Sequence, residues 1–285
     1  MTSVVVVRML GPFTVSACGR AVGAWPRPTA RRLCQLVLIS PGRRISRDLA
    51  CEELFPGTDP RAAARALSKA LSMARATLSE LGEPGASLLG ADLTHIWAAP
   101  DAIVDADEQA VALQQALATE PGPGRAGALV AALKDEGELL AEEPYADWAM
   151  LAREQLDSLR QEARLTLARD RAADRSQCSA DAVTHAWLSA FDHDPACEEA
   201  AGALLHAYLQ QGRRELAARV YERCAAALAG LGLHTSPSLD ELYATVTQPV
   251  PAAAEPGVAA PVRPARWPGS RTRPPRRRRA RNCAP

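Results

Sequence analysis

The sequence predicts a mainly α protein: an N-terminal winged helix-turn-helix (small β-sheet, three helices and a wing hairpin) followed by an all-α, tetratricopeptide-like helical-repeat domain. Aromatic residues make up only 4% of the 285 while Ala, Leu and Arg abound, a balance that favours helices packed through small and aliphatic side chains. Valine-rich segments broken by turn residues are confined to the first hundred positions. From Asp101 to Val246 nearly every stretch between Pro or Gly stops reads as helix. With 47% hydrophobic residues the chain can bury two cores. The expected division is 1–100 for the winged helix, 101–248 for the helical domain and 249–285 for a disordered Pro/Arg-rich tail.

VVVVRML and PFTVSACG read as two short strands around Gly11-Pro12. Thr29 is placed to cap a helix through Leu33, Leu36 and Ile39, which Ser40-Pro41-Gly42 stops. Ser46 caps a second helix from Arg47 to Phe55, and Asp59-Pro60 is an N-cap and N1 pair opening a third that runs to Leu81, before Gly82. Ser87 to Leu89, a Gly90-Ala91-Asp92 turn and Leu93 to Trp97 form the hairpin. Further helices are expected at about 105–119, 125–140, 145–174, 179–191, 195–210, 213–230 and 238–247. Their pairing is loosely like tetratricopeptide repeats of about 34 residues, which stack into a concave partner-binding face.

A formal charge of zero conceals an asymmetry. Residues 1–99 hold 12 basic and 7 acidic groups, residues 100–250 hold 12 and 25, and residues 251–285 hold 9 arginines against Glu255. A basic head on an acidic body suits a module that meets phosphate while the remainder stays away from it; chance surface composition is the plain alternative. The helix from Pro60 sharpens the point. At 100° per residue, Ala63, Leu67, Ala70, Leu71, Ala74, Leu78 and Leu81 share one arc, and Arg61, Arg65, Ser68, Lys69, Ser72 and Arg75 share the opposite arc without an acid. Such a face can enter the major groove of double-stranded DNA, or can simply be solvated. Arg43, Arg44, Arg31 and Arg32 are candidate phosphate contacts, and the wing turn, with Asp92 and no arginine, offers backbone contact at most.

In the helical part, Tyr145, Trp148, Trp187, Tyr208 and Tyr221 read as core anchors. Asp135, Glu136, Glu138, Glu142 and Glu143 read as a solvated loop or a docking face for a basic partner, and His193 as part of a capped turn. The seven cysteines form no C-x-x-C pair and the histidines no metal spacing, so no metal, cofactor or catalytic site is expected, and neither phosphate-loop nor hydrolase motifs occur. Four valines before Arg8 make neither a signal peptide nor a membrane span, so the expectation is cytoplasmic.

Over residues 4–247 the chain resembles the SARP family, the antibiotic regulatory proteins with an OmpR-like winged helix and a bacterial transcriptional activation domain. The head carries Leu10-Gly11-Pro12-Phe13, Arg27-Pro28-Thr29-Ala30-Arg31, Ser40-Pro41-Gly42-Arg43, Leu54-Phe55-Pro56 and ALSKALSMARATL from Ala66. The second part carries Tyr145-Ala146-Asp147-Trp148 with Arg153-Glu154, Asp194-Pro195 with Glu198, Gln211-Gly212-Arg213, Tyr221 with Cys224, and Leu231-Gly232-Leu233 before Ser236-Pro237. The resemblance implies a transcriptional activator that binds promoter repeats as two protomers, contacts RNA polymerase near its sigma subunit and controls secondary metabolism. Ser68, Met73 and Ala76 stand where members often carry arginine, and Ser68, Met73 and Asp92 leave open a helical-repeat interaction scaffold with a degenerate winged helix. Some relatives continue into an ATPase domain, so the arginine-rich tail also fits a truncated or frame-shifted form of a larger regulator.

Overall fold

The computed structural model describes residues 4–174 and 178–247. The tail expected at 249–285 lies outside them. Strands β1 (Val5–Arg8), β2 (Thr14–Ala17), β3 (Arg20–Ala21) and β7 (Ile103–Val104) form a sheet in the order β3-β2-β1-β7, with β1 antiparallel to β2 and parallel to β7. Alternation fixes the register: Val5 and Val7 point into the core opposite Ala17 and Val15, and Val6 faces out.

Helix α1 (Pro28–Ile39) is buried nearly all round through Ala30 and Leu33 to Leu38. Its cap differs from expectation: Arg27 is the N-cap and Thr29 lies inside the first turn, because Pro28, with its φ fixed and no N–H to leave orphaned, takes N1. Ser40 ends it, its hydroxyl donating to the Leu36 carbonyl at 2.7 Å. A 3-10 turn, Pro41–Arg43, leads to β4 (Arg44–Ser46), then α2 (Arg47–Leu54) and α3 (Pro60–Ser79). Both expected caps hold, Ser46 accepting from the Leu49 N–H at 3.2 Å and Asp59 from the Ala62 N–H at 3.0 Å. A single turn, α4 (Glu83–Ala86), precedes the hairpin of β5 (Leu89–Ala91) and β6 (His95–Ala98), and β4 completes a second sheet in the order β4-β6-β5. Three residues are too few for β4 to show alternation, so only its pairing with β6 reveals it. The hairpin turn falls later than expected, at Asp92 to Thr94. Gly90 is instead a strand residue across from Trp97, where a Cβ would lie 2.1 Å from the indole nitrogen.

The body comprises α5 (Asp105–Ala118), α6 (Pro123–Ala132), α7 (Asp147–Ala173), α8 (Ala180–His193), α9 (Glu198–Gln210), α10 (Arg214–Gly230) and α11 (Pro237–Thr247). The 27-residue α7 joins everything: Ala149 and Leu156 belong to the head's core, Ala163 and Leu167 pack with Leu113 and Leu129, and Ala168 joins the cluster of Trp187, Phe191, Leu204, Leu205 and Cys224. The helix expected to reach 140 stops at Ala132, because the chain beyond it pairs with the residues that follow β1, Leu10 bridging Leu139. The Gly11 N–H donates to the Glu138 carbonyl at 2.9 Å, the Leu140 N–H donates to the Met9 carbonyl at 2.8 Å, and a Cβ on Gly137 would lie 2.7 Å from the Leu10 backbone. Trp187 and Tyr208 are core anchors as expected, Trp148 is half-buried against the head, and Tyr221 stacks on Tyr243 at 3.8 Å. Tyr145 is not an anchor: it sits in the loop before α7 and is 95% exposed.

Candidate nucleic-acid interface

The outer face of α3 is built by local rules. Asp59 and Pro60 start the helix, and Ala63, Leu67, Ala70, Leu71, Ala74 and Leu78 are buried against the head's core. Arg61, Arg65, Ser68, Lys69 and Ser72 are therefore all exposed, and none of the 20 residues of α3 is acidic. Arg61, Arg65 and Lys69 follow one another at i, i+4 spacing, where like charges cost a helix roughly 0.2–0.5 kcal/mol per pair. Arg61, in the first turn, also faces the positive end of the helix dipole. No carboxylate among the described residues pairs with any of the three. The face is thus a concentrated, unneutralised positive charge, the arrangement that an external polyanion relieves.

The other arginines of the head divide sharply. Arg75, at the end of the face, is half-buried and donates through Nε to the Leu89 carbonyl at 3.0 Å, bracing the base of the hairpin. Arg43 reaches the carbonyls of Ala99 at 3.2 Å and Ala102 at 2.7 Å and the Asp107 carboxylate at 2.6 Å. Its guanidinium ties the head to the start of α5 and is spent there. Arg31 pairs with Glu142 at 2.6 Å and Glu143 at 2.8 Å, and Arg32 pairs with Glu143 at 2.8 Å. These two arginines are paired within the fold and hold the loop before α7, and the acids read as a solvated or docking loop are in part structural. Glu143 is only 6% exposed along its side chain, Glu136 pairs with Arg164, and Arg153 closes the same loop by donating to the carbonyls of Leu139 and Glu143. Arg44 stays exposed on β4, its nearest carboxylate being Asp92 at 4.0 Å.

Sequence reasoning missed Arg47. At the first position of α2, its Nη2 donates to the Ser68 hydroxyl at 3.0 Å, and its backbone N–H donates to the Thr94 carbonyl of the wing turn at 2.9 Å. The signal available was an arginine directly after the Ser46 cap, but nothing local says that α3 and the wing turn converge there. The wing turn itself is held by Asp92, whose carboxylate accepts from the Thr94 and His95 N–H groups, each at 2.7 Å. Those two bonds hold its acid at about 2, well below the usual carboxylate value. Leu93 at the tip is 97% exposed. His193, read as part of a capped turn, is instead the last residue of α8, and the turn begins after it at Asp194, whose carboxylate accepts from the Ala196 N–H at 3.0 Å. No helix among the described residues is long and apolar enough to cross a membrane.

Residues 104–247 match the bacterial transcriptional activator domain family. No curated protein matches the chain. Among solved structures the chain is similar to Mycobacterium tuberculosis EmbR, determined in complex with a low-affinity phosphopeptide, at 22% identity and a TM-score of 0.59. The likeness covers 87% of this chain but only 66% of EmbR's, and at that identity it shows a shared fold.

Proposed function

The chain belongs to the bacterial transcriptional activator domain family and is a transcriptional regulator of the SARP kind, and from that premise we propose that it binds promoter DNA through the outer face of α3. In this reading α3 lies in the major groove, with Arg61, Arg65, Lys69 and Ser72 toward base edges and phosphates, Ser68 on the same face bonded to Arg47, and Arg44 toward the backbone. Arg75 supports the wing and Arg43 supports the head, both acting indirectly. The helical body engages RNA polymerase or a second protomer, so that two copies occupy direct repeats and activate transcription of cytoplasmic targets, secondary-metabolite clusters among them by resemblance.

The single observation that carries the reading is the unpaired, acid-free face of α3. Gel-shift titration of the full chain on promoter fragments tests it. Binding weakens steeply with salt, and Arg65→Ala with Lys69→Ala lowers affinity roughly ten- to a hundredfold while the melting temperature holds. A wild-type chain that shifts no duplex at low salt rejects the proposal.

A further inference from the structure

Ser68 is exposed on the outer face of α3, yet its hydroxyl proton is already committed. Oγ donates to the Ala64 carbonyl at 2.9 Å and accepts from Arg47 Nη2 at 3.0 Å. The cation held against Ser68 at this point is the guanidinium of Arg47, a half-buried residue. It is anchored on two sides, to α3 through Ser68 and to the wing turn through Nη1, which lies 3.5 Å from the Asp92 carbonyl. No carboxylate among the described residues pairs with it, and a guanidinium carries five N–H donors, so three remain unspent.

The place matters more than the count. A helix in the major groove and a wing over the adjoining minor groove are separated by one sugar-phosphate strand, and a cation held between helix and wing faces that strand. We propose that Arg47 is a phosphate-backbone contact, held over the strand between the two grooves by its bonds to Ser68 and the wing turn. This rests on the reading of α3 as the major-groove helix. Because the guanidinium is already oriented, little rotamer freedom is lost when phosphate binds, and a planar fork suits two phosphate oxygens at once.

The test uses the full chain on two probes: a duplex enriched by the wild-type chain from a random pool, and a random-sequence duplex of the same length. Arg47→Gln removes the charge and keeps a neutral polar side chain. It should weaken both probes by a similar factor, roughly tenfold, and lower the slope of log affinity against log salt by about 0.9, one phosphate's worth. Arg47→Lys should retain the slope. Independently of any variant, one neutral methylphosphonate linkage between the contacted grooves should cost the wild-type chain a comparable factor. Unchanged salt slope in a folded Arg47→Gln, or no such linkage in a complete methylphosphonate scan, overturns the inference while leaving α3 as the reading helix. A wild-type chain without salt-dependent duplex binding overturns both.

Discussion

Two arginine-rich surfaces of the same small head have opposite fates. On α3, Arg61, Arg65 and Lys69 stand in the open with no carboxylate partner among the described residues. Around α1 and the turn after it, Arg31, Arg32 and Arg43 meet Glu142, Glu143 and Asp107, all supplied from more than sixty positions away. Each group is three cations within a short stretch of the head. What separates them is whether the acidic body folds back onto them, so a net positive charge in a stretch of sequence identifies a basic surface only after tertiary pairing has been subtracted.

Reversing a charge on the open face should give the largest effect. Lys69→Glu puts a carboxylate where a duplex would press its phosphates, and like-charge contact costs several kcal/mol, so affinity should fall by roughly a hundredfold in anisotropy titrations. Its melting temperature should stay level or rise slightly, since the i, i+4 repulsion with Arg65 becomes attraction. A drop in stability would show that α3's outer face is packed against something and would dissolve the contrast.

Removing an acid from the seam should do the reverse. Glu143→Ala leaves Arg31 and Arg32, whose side chains are 24% and 46% exposed, without their shared partner. Breaking a buried pair costs about 3–5 kcal/mol, and screening at these exposures brings the expected loss to about 2 kcal/mol, or roughly 4–8 °C in thermal denaturation. The salt slope of duplex binding should not change; a slope that rises would mean that the freed arginines reach phosphate and that the seam is an alternative interface.

The smallest effect concerns the wing. Asp92's acid lies below its unfolded value, so its contribution to the turn is complete above about 3.8 and is lost as pH falls through about 2. Amide exchange at Thr94 and His95 should accelerate in that window while amides in α1 stay protected until global unfolding. Loss of protection nearer neutral pH would show that some other group holds the wing.

Much of the α3 face was legible because its signals are local. A cap and N1 pair at Asp59-Pro60, a 3.6-residue spacing of Ala and Leu, and the absence of acids can all be read along twenty consecutive residues. The same holds for Ser46 and for most body helices. Arg47 and the fates of Arg31, Arg32 and Arg43 were not legible, because each depends on atoms contributed by distant segments: Ser68 and Thr94 for the first, Glu142, Glu143 and Asp107 for the others. Tyr145 failed for a related reason. Its helical reading assumed that α7 began two residues earlier than it does, and the loop that replaces that turn carries the ring into solvent.

By itself, the sequence determined most of the helices, the caps at Ser46 and Asp59 and which side of α3 is apolar, since propensity, capping and periodicity act over a few residues. Only the tertiary structure decided the short strands β4 and β7, the end of α6 and which of the head's cations remain unneutralised. Strand pairing and charge pairing are long-range interactions, and no window of neighbouring residues contains both partners.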